Sequence, residues 1–100
     1  MPTTSAKLIT IIAEDELEER LERDVLQLGA RGYTVVRVRG EGLHGARKSE
    51  WEGENIRIEA VVSPEVAQRI LDHLATKYFA HFAVVAYVST VEVVRAEKFL

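Results

Sequence analysis

The period of the apolar residues changes four times along the chain, and that order of periods restricts the folds open to it more than any single motif. Lys7 to Ala13 is short, β-branched and almost continuously apolar, the mark of a central strand. From Glu14 to Leu28 the spacing becomes helical: Leu17, Leu21, Val25 and Leu28 form one stripe, with Glu18, Glu19, Glu22 and Arg23 turned outward. Acidic residues crowd the first turn, where the helix dipole favours them, and Gly29 and Gly32 supply stop signals. Tyr33 to Arg39 alternates, and so does Asn55 to Val62, where Ile56, Ile58 and Ala60 share a face. Ser63-Pro64-Glu65 is a compact helix start, and Val66, Ala67, Ile70, Leu71 and Leu74 make the apolar stripe that follows. Ala83 to Val88 reads as a fourth strand and Val91 to Val94 as a short fifth one.

The resulting order, β-α-β-β-α-β plus a tail, predicts an α+β, ferredoxin-like antiparallel sheet with both helices on one face. One domain spanning residues 1–100 uses all of the 100 residues, which leave no material for a second core. We assign Thr34, Val36 and Val38 to one face of the second strand. Tyr33, Val35, Arg37 and Arg39 go to the other, together with Arg57 and Glu59 on a helix-free surface. Such a mixed face is too apolar to stay bare, and its burial against further copies predicts an oligomer.

Composition removes several function classes. With 13 basic against 16 acidic residues the formal charge is -3, against the expectation for a duplex nucleic-acid binder. The absence of cysteine excludes disulfides, thiolate metal sites and a cysteine nucleophile. No apolar run is long enough to span a bilayer and the N-terminus does not resemble a secretory signal, so a cytoplasmic protein without membrane insertion is expected. His44, His73 and His81 lack metal-ligand spacing, and no nucleophile elbow or Gly-Lys-Ser/Thr phosphate loop is present, so neither a metal site nor an enzyme is expected. His73 falls on the solvated side of the second helix, and the aromatics of Tyr78 to Phe82 read as core closure.

Two segments carry chemistry. The connection from Gly40 to Glu54 exceeds the about 12 residues usual for a structureless loop. It opens with Gly40-Glu41-Gly42, whose backbone amides are unobstructed, and continues with His44, Arg47 and Lys48, a combination suited to phosphate. A solvated tip is the other reading, although Trp51 in so polar a loop points to docking on its own protein or a partner. In the tail, residues 89–100, Arg95 and Lys98 stand three apart, either as a phosphate clamp or as part of a frayed terminus.

With these residues in view, the chain resembles the PII superfamily of nitrogen-regulatory proteins, in particular its carbon-side branch of SbtB-type bicarbonate-transport regulators and carboxysome-associated PII-like proteins. Gly29 to Val35, Gly40-Glu41-Gly42, Ala75 to Phe79 and above all Tyr87 to Phe99 carry the likeness. The resemblance implies a homotrimer with adenine nucleotides in clefts between subunits. It makes residues 40–54 the T-loop, which senses ligand and contacts targets such as a bicarbonate transporter or a carboxysome protein. Gly40, Glu41, Gly42, His44 and Arg47 then match nucleotide contacts at the T-loop, and Thr34, Glu59 and Val61 border the adenosine pocket. Arg95 and Lys98 close the site from the adjacent subunit. Arg47 and Lys48 are candidates for bicarbonate or another small anion, and Trp51 for partner contact.

Departures from the nitrogen-sensing members shape the expected ligand. Tyr78 to Phe82 replaces their glycine-rich turn for the ATP β- and γ-phosphates, and Leu43-His44 follows Gly42 where they carry the glutamine for magnesium and 2-oxoglutarate. ADP, AMP or cyclic AMP is therefore expected ahead of ATP, with bicarbonate as a second ligand. The rival readings are a slow nucleotide hydrolase using a loop acid in the same cleft and a CutA-like structural or metal-binding trimer.

Overall fold

A computed structural model describes residues 1–40 and 54–100. Its strands are β1 (Thr4–Glu14), β2 (Thr34–Val38), β3 (Asn55–Val62) and β4 (Val85–Val93), with helices α1 (Glu18–Gln27) and α2 (Pro64–Lys77). They form one antiparallel sheet of order β2-β3-β1-β4. Each helix connects strands that are not neighbours, which is the split-βαβ arrangement expected from the order of periods.

Antiparallel register decides which side chains face the helices. Ile9 lies opposite Ala60, Ile11 opposite Ile58 and Ala13 opposite Ile56. These residues, with Val62, pack under Leu17, Leu21 and Val25 on one side and Ala67, Ile70 and Leu74 on the other. Both predicted helical stripes are therefore the core. Ser63 Oγ accepts the amide of Val66 at 3.2 Å, and Pro64 occupies the first helical position, as the Ser-Pro-Glu start requires.

The structure also corrects four expectations. Val35 pairs with Ile58 and Arg37 with Ile56, so these residues lie on the helix side, and Val35 packs against the core. The helix-free face instead carries Thr34 opposite Glu59 and Val36 opposite Arg57. The supposed fifth strand is the continuation of β4, whose ladder with β1 runs unbroken from Val85–Ile12 to Val93–Thr4. Helix α1 is preceded by a 3-10 turn at Asp15–Leu17, because β1 extends through Glu14 and the chain must reverse before the helix starts. His73, expected on the surface, is half-buried with Nε2 3.0 Å from Asp24 Oδ2.

That carboxylate also accepts the Tyr78 hydroxyl at 2.5 Å, and Tyr78 is only 1% exposed. A buried phenol needs such a partner, so one aspartate on α1 fixes both a residue on α2 and the aromatic turn after it. The predicted closure of the core by this turn holds for Tyr78 and Phe82, whereas Phe79 and His81 are exposed. Gly29 ends α1 at φ 126, and a Cβ there would lie 2.9 Å from Val66 Cγ2.

Two outcomes are expected from this packing. Gly29→Ala combines left-handed strain with a clash and should destabilise the fold by about 1–3 kcal/mol in urea unfolding. Burial and the bond to Asp24 raise the Tyr78 phenol above its ordinary value. A raised folded pKa favours the protonated state, so this stabilisation is complete below the unfolded phenol's pKa and is lost as pH climbs through the higher folded one. Thermal melts should fall steeply in strongly alkaline buffer, and Tyr78→Phe should flatten that fall while lowering neutral-pH stability by about 1–2 kcal/mol.

A cleft between the sheet and the tail

On the helix-free face, the start of β2 and the ends of β1 and β3 lie side by side. Thr34 stands opposite Glu59, and Leu8 stands opposite Val61. The tail returns over this corner. After β4 the backbone turns at Arg95, whose φ of 63 makes it the sole non-glycine residue in the left-handed region among those described. A 3-10 turn at Ala96–Lys98 follows, closed by the Lys98 and Phe99 amides bonding to the Arg95 and Ala96 carbonyls at 2.9 and 3.0 Å. Arg31 donates to the Glu97 carbonyl at 2.9 Å and so ties this turn to the segment leading into β2.

Together these elements enclose a cleft of about 250 Å³. Its lining includes Leu8, Val61 and Phe99 as apolar surfaces, Thr34 as a hydroxyl, Glu59 as a carboxylate, and Arg31 and Lys98 as cations. Glu59 Oε2 lies 3.4 Å from Arg57 Nε. That separation is an ionic contact and not a hydrogen bond, since the buried Arg57 Nε has no hydrogen-bond partner. The set can hold a flat apolar group between the aliphatic walls and Phe99, accept from its polar hydrogens at Glu59, and neutralise an attached anion with Lys98 and Arg31.

Four of the residues singled out from the sequence, Thr34, Glu59, Val61 and Lys98, converge in this cleft. Lys98 lines the cleft of its own chain, whereas the resemblance assigned it to the closure of a neighbour's. Arg95 lies outside the lining, with Nε 3.8 Å from Glu97 Oε2, and shapes the tail through its backbone. Gly40 is exposed just beyond β2, with nothing within 4 Å of where its Cβ would stand. Glu41, Gly42, His44, Arg47, Lys48 and Trp51 fall outside the described residues.

Arg31, Tyr33 and Phe99 are cleft residues that inspection of the chain did not single out. Their signal was a cation and an aromatic bracketing Gly32, and an aromatic following Lys98, each inside a segment that carried the family likeness. Tyr33 also hydrogen-bonds Glu22, which raises its phenol pKa. Burial, followed by a hydrogen bond shared with Glu18, raises the Glu22 carboxyl in turn, and the Tyr33 bond opposes that rise.

The roots of the long connection are fixed as well. The Asp15 amide donates to the Glu54 carbonyl at 2.8 Å, and the Glu54 amide donates back to Asp15 Oδ2 at 3.3 Å. Arg37 lies 3.4 Å from Glu54 Oε1 and 3.7 Å from Asp15 Oδ2. Residue 54 is thereby held to the 3-10 turn that precedes α1, just before β3 begins.

With this geometry established, comparison with known proteins defines the class. The sequence profile of the family described as nitrogen regulatory protein P-II matches residues 6–98, and the chain belongs to that family. The nitrogen regulatory protein GlnK2 of Haloferax mediterranei is 30% identical over 76 residues, 68% of this chain and 61% of that protein. The chain thus spans about three fifths of that relative's length. A PII-like signalling protein from Thermus thermophilus superposes with a TM-score of 0.87 at 54% identity, covering 100% of both chains. CPII of Thiomonas intermedia superposes in its complex with ADP, AMP and acetate (TM-score 0.84, 28% identity) and in that with ADP and bicarbonate (TM-score 0.85, 27% identity). Each CPII comparison covers 99% of this chain and 98% of that one.

The Arg31 bond makes a local test possible. Arg31→Ala should leave global stability within about 1 kcal/mol while opening the tail. Hydrogen exchange of the Lys98, Phe99 and Leu100 amides is expected to accelerate about fivefold, with β1 amides unchanged.

Proposed function

We propose that this P-II family protein is a regulatory, non-catalytic sensor that binds ADP or AMP in the cleft between the sheet and the tail. The observation that carries the proposal is the convergence of Thr34, Glu59, Val61 and Lys98, from three separate stretches of sequence, on one cleft with the donors and surfaces a nucleotide needs. Adenine fits between Leu8, Val61 and Phe99, Thr34 and Glu59 meet polar groups of the nucleoside, and Lys98 with Arg31 faces the phosphates. The CPII complexes with ADP and AMP support this choice of ligand.

The cleft's volume of about 250 Å³ lies below the roughly 300–1,000 Å³ typical of pockets that bury a small organic ligand. Further walls are therefore needed. In our proposal they come from a neighbouring subunit of a homotrimer packed through the helix-free face, where Val36 and Tyr87 are exposed. The T-loop residues Gly40, Glu41, Gly42, His44 and Arg47 complete the phosphate end, and Arg95 contributes at the subunit boundary. Cyclic AMP and ATP remain the competing ligands. In our proposal bicarbonate joins at Arg47 and Lys48; the CPII complex with ADP and bicarbonate supports the choice of this second ligand. Residues 41–53, with Trp51, would present the state of the cleft to a protein partner, either a bicarbonate transporter or a carboxysome component.

The deciding experiment is calorimetric titration with ADP, AMP, ATP and cyclic AMP, each with and without bicarbonate. ADP and AMP are expected to bind most tightly, with bicarbonate increasing the ADP affinity. Lys98→Gln removes one charge-assisted contact and should weaken ADP about tenfold, while Thr34→Val should weaken every nucleotide by a similar factor. Absence of binding by all four nucleotides would overturn the proposal, and light scattering at the mass of a monomer would overturn its intersubunit part.

A further inference from the structure

Away from the nucleotide cleft, the two helices present facing rows of basic residues. Arg20 and Arg23 stand one turn apart on α1, and His73 and Lys77 one turn apart on α2. With Asp24 and Tyr78 they line a second cavity of about 190 Å³ that opens to solvent. It shares no residue with the nucleotide cleft.

The charges in this cavity do not balance. Asp24 is the only carboxylate in its lining, and its Oδ2 is already occupied by the Tyr78 hydroxyl at 2.5 Å and His73 Nε2 at 3.0 Å. Arg20 is held by ring faces, its Cζ 5.0 Å from the Tyr78 centroid and 5.6 Å from that of Phe82. A guanidinium stacked on aromatic faces keeps its N–H edges available in its own plane, and those not directed at the Tyr78 hydroxyl can meet a ligand. Among the described residues, neither Arg23 nor Lys77 forms an ion pair with a carboxylate. The result is a local excess of positive charge on a chain whose formal net charge is -3.

We infer that the groove between α1 and α2 is a second ligand site, one that takes a small multivalent oxyanion of the phosphate class. Arg20 supplies a fixed planar fork, and Arg23 and Lys77 close from the two helices with charge-assisted hydrogen bonds. The bonded pair Asp24 and Tyr78 forms the floor and keeps an anion away from the apolar core. The cavity's size suits a free inorganic ion or the terminal group of a small metabolite, not a whole nucleotide.

The probe is inorganic phosphate, titrated against the whole protein at constant ionic strength with chloride as the balancing anion and followed by amide NMR. Saturating shifts are expected in residues 18–27 and 64–78. In the double variant Arg23→Gln/Lys77→Gln those shifts should need at least about tenfold more phosphate, as follows from losing two charge-assisted bonds. Both side chains are exposed, so thermal melting of that variant should match the parent and exclude misfolding as the cause. Lys77→Arg, which keeps the charge, should retain binding. Shifts confined to the surroundings of Thr34, Val61 and Lys98, non-saturating shifts equal to those in chloride, or unchanged affinity in the double variant would each overturn the inference.

Discussion

Strand β1 is hydrogen-bonded along both edges, to β3 on one side and β4 on the other, and the rest of the molecule depends on that double pairing. The first strand of the sequence becomes the centre of the sheet, flanked by partners from the middle and the end of the chain. Both loop closures are needed to build the sheet surface on which the apolar stripes of the two helices are buried. Once the register is set, Ile9, Ile11 and Ala13 face the helices, while Leu8, Thr10 and Ile12 face the other side. The same pairing puts Leu8 beside Val61 and Ser89, so the floor of the cleft between the sheet and the tail follows from the event that forms the core.

The sequence disclosed element types and order better than it disclosed faces. Helical stripes were legible because their apolar residues recur at one period over several turns, and Ser63-Pro64 marks the start of α2 by the chemistry of its own atoms. The faces of β2 were not legible. Valine stands at positions 35, 36 and 38, so both parities of this strand look apolar, and only pairing with Ile56 and Ile58 decides between them. A strand patterned in this way carries little register information of its own. The length of β4 was obscured by Ser89 and Thr90, which interrupt the apolar run but are tolerated on an exposed edge strand. His73 was misplaced because its partner, Asp24, lies 49 residues away, a separation at which side-chain periodicity says nothing.

The candidate site was half legible, and the division has a physical cause. Thr34, Glu59, Val61 and Lys98 were identified through family likeness, and the fold brings them together by strand pairing and by the return of the tail. Arg31 escaped notice because its contribution is a bond to a main-chain carbonyl, for which no side-chain pattern exists to be read. Arg95 was assigned to ligand from its spacing to Lys98 and from the family likeness; its left-handed backbone also gives it a structural role, turning the chain so that Lys98 and Phe99 reach the cleft.

Among the described residues, the tail is also where a ligand has most leverage over this fold. Its 3-10 turn is too short to be stable by itself, contains no buried residue, and is tied to the domain by the Arg31 bond. A segment held by so few contacts opens at far lower free energy than the sheet beneath it. On the nucleotide-binding reading, a ligand touching both Lys98 and the β2–β3 wall favours the docked tail over the open one. The population then shifts by as much as those contacts differ between the two states. The walls themselves, Thr34, Glu59 and Val61, belong to strands fixed by the core. Half of the cleft is therefore rigid and half is adjustable, and only the adjustable half can carry information about occupancy.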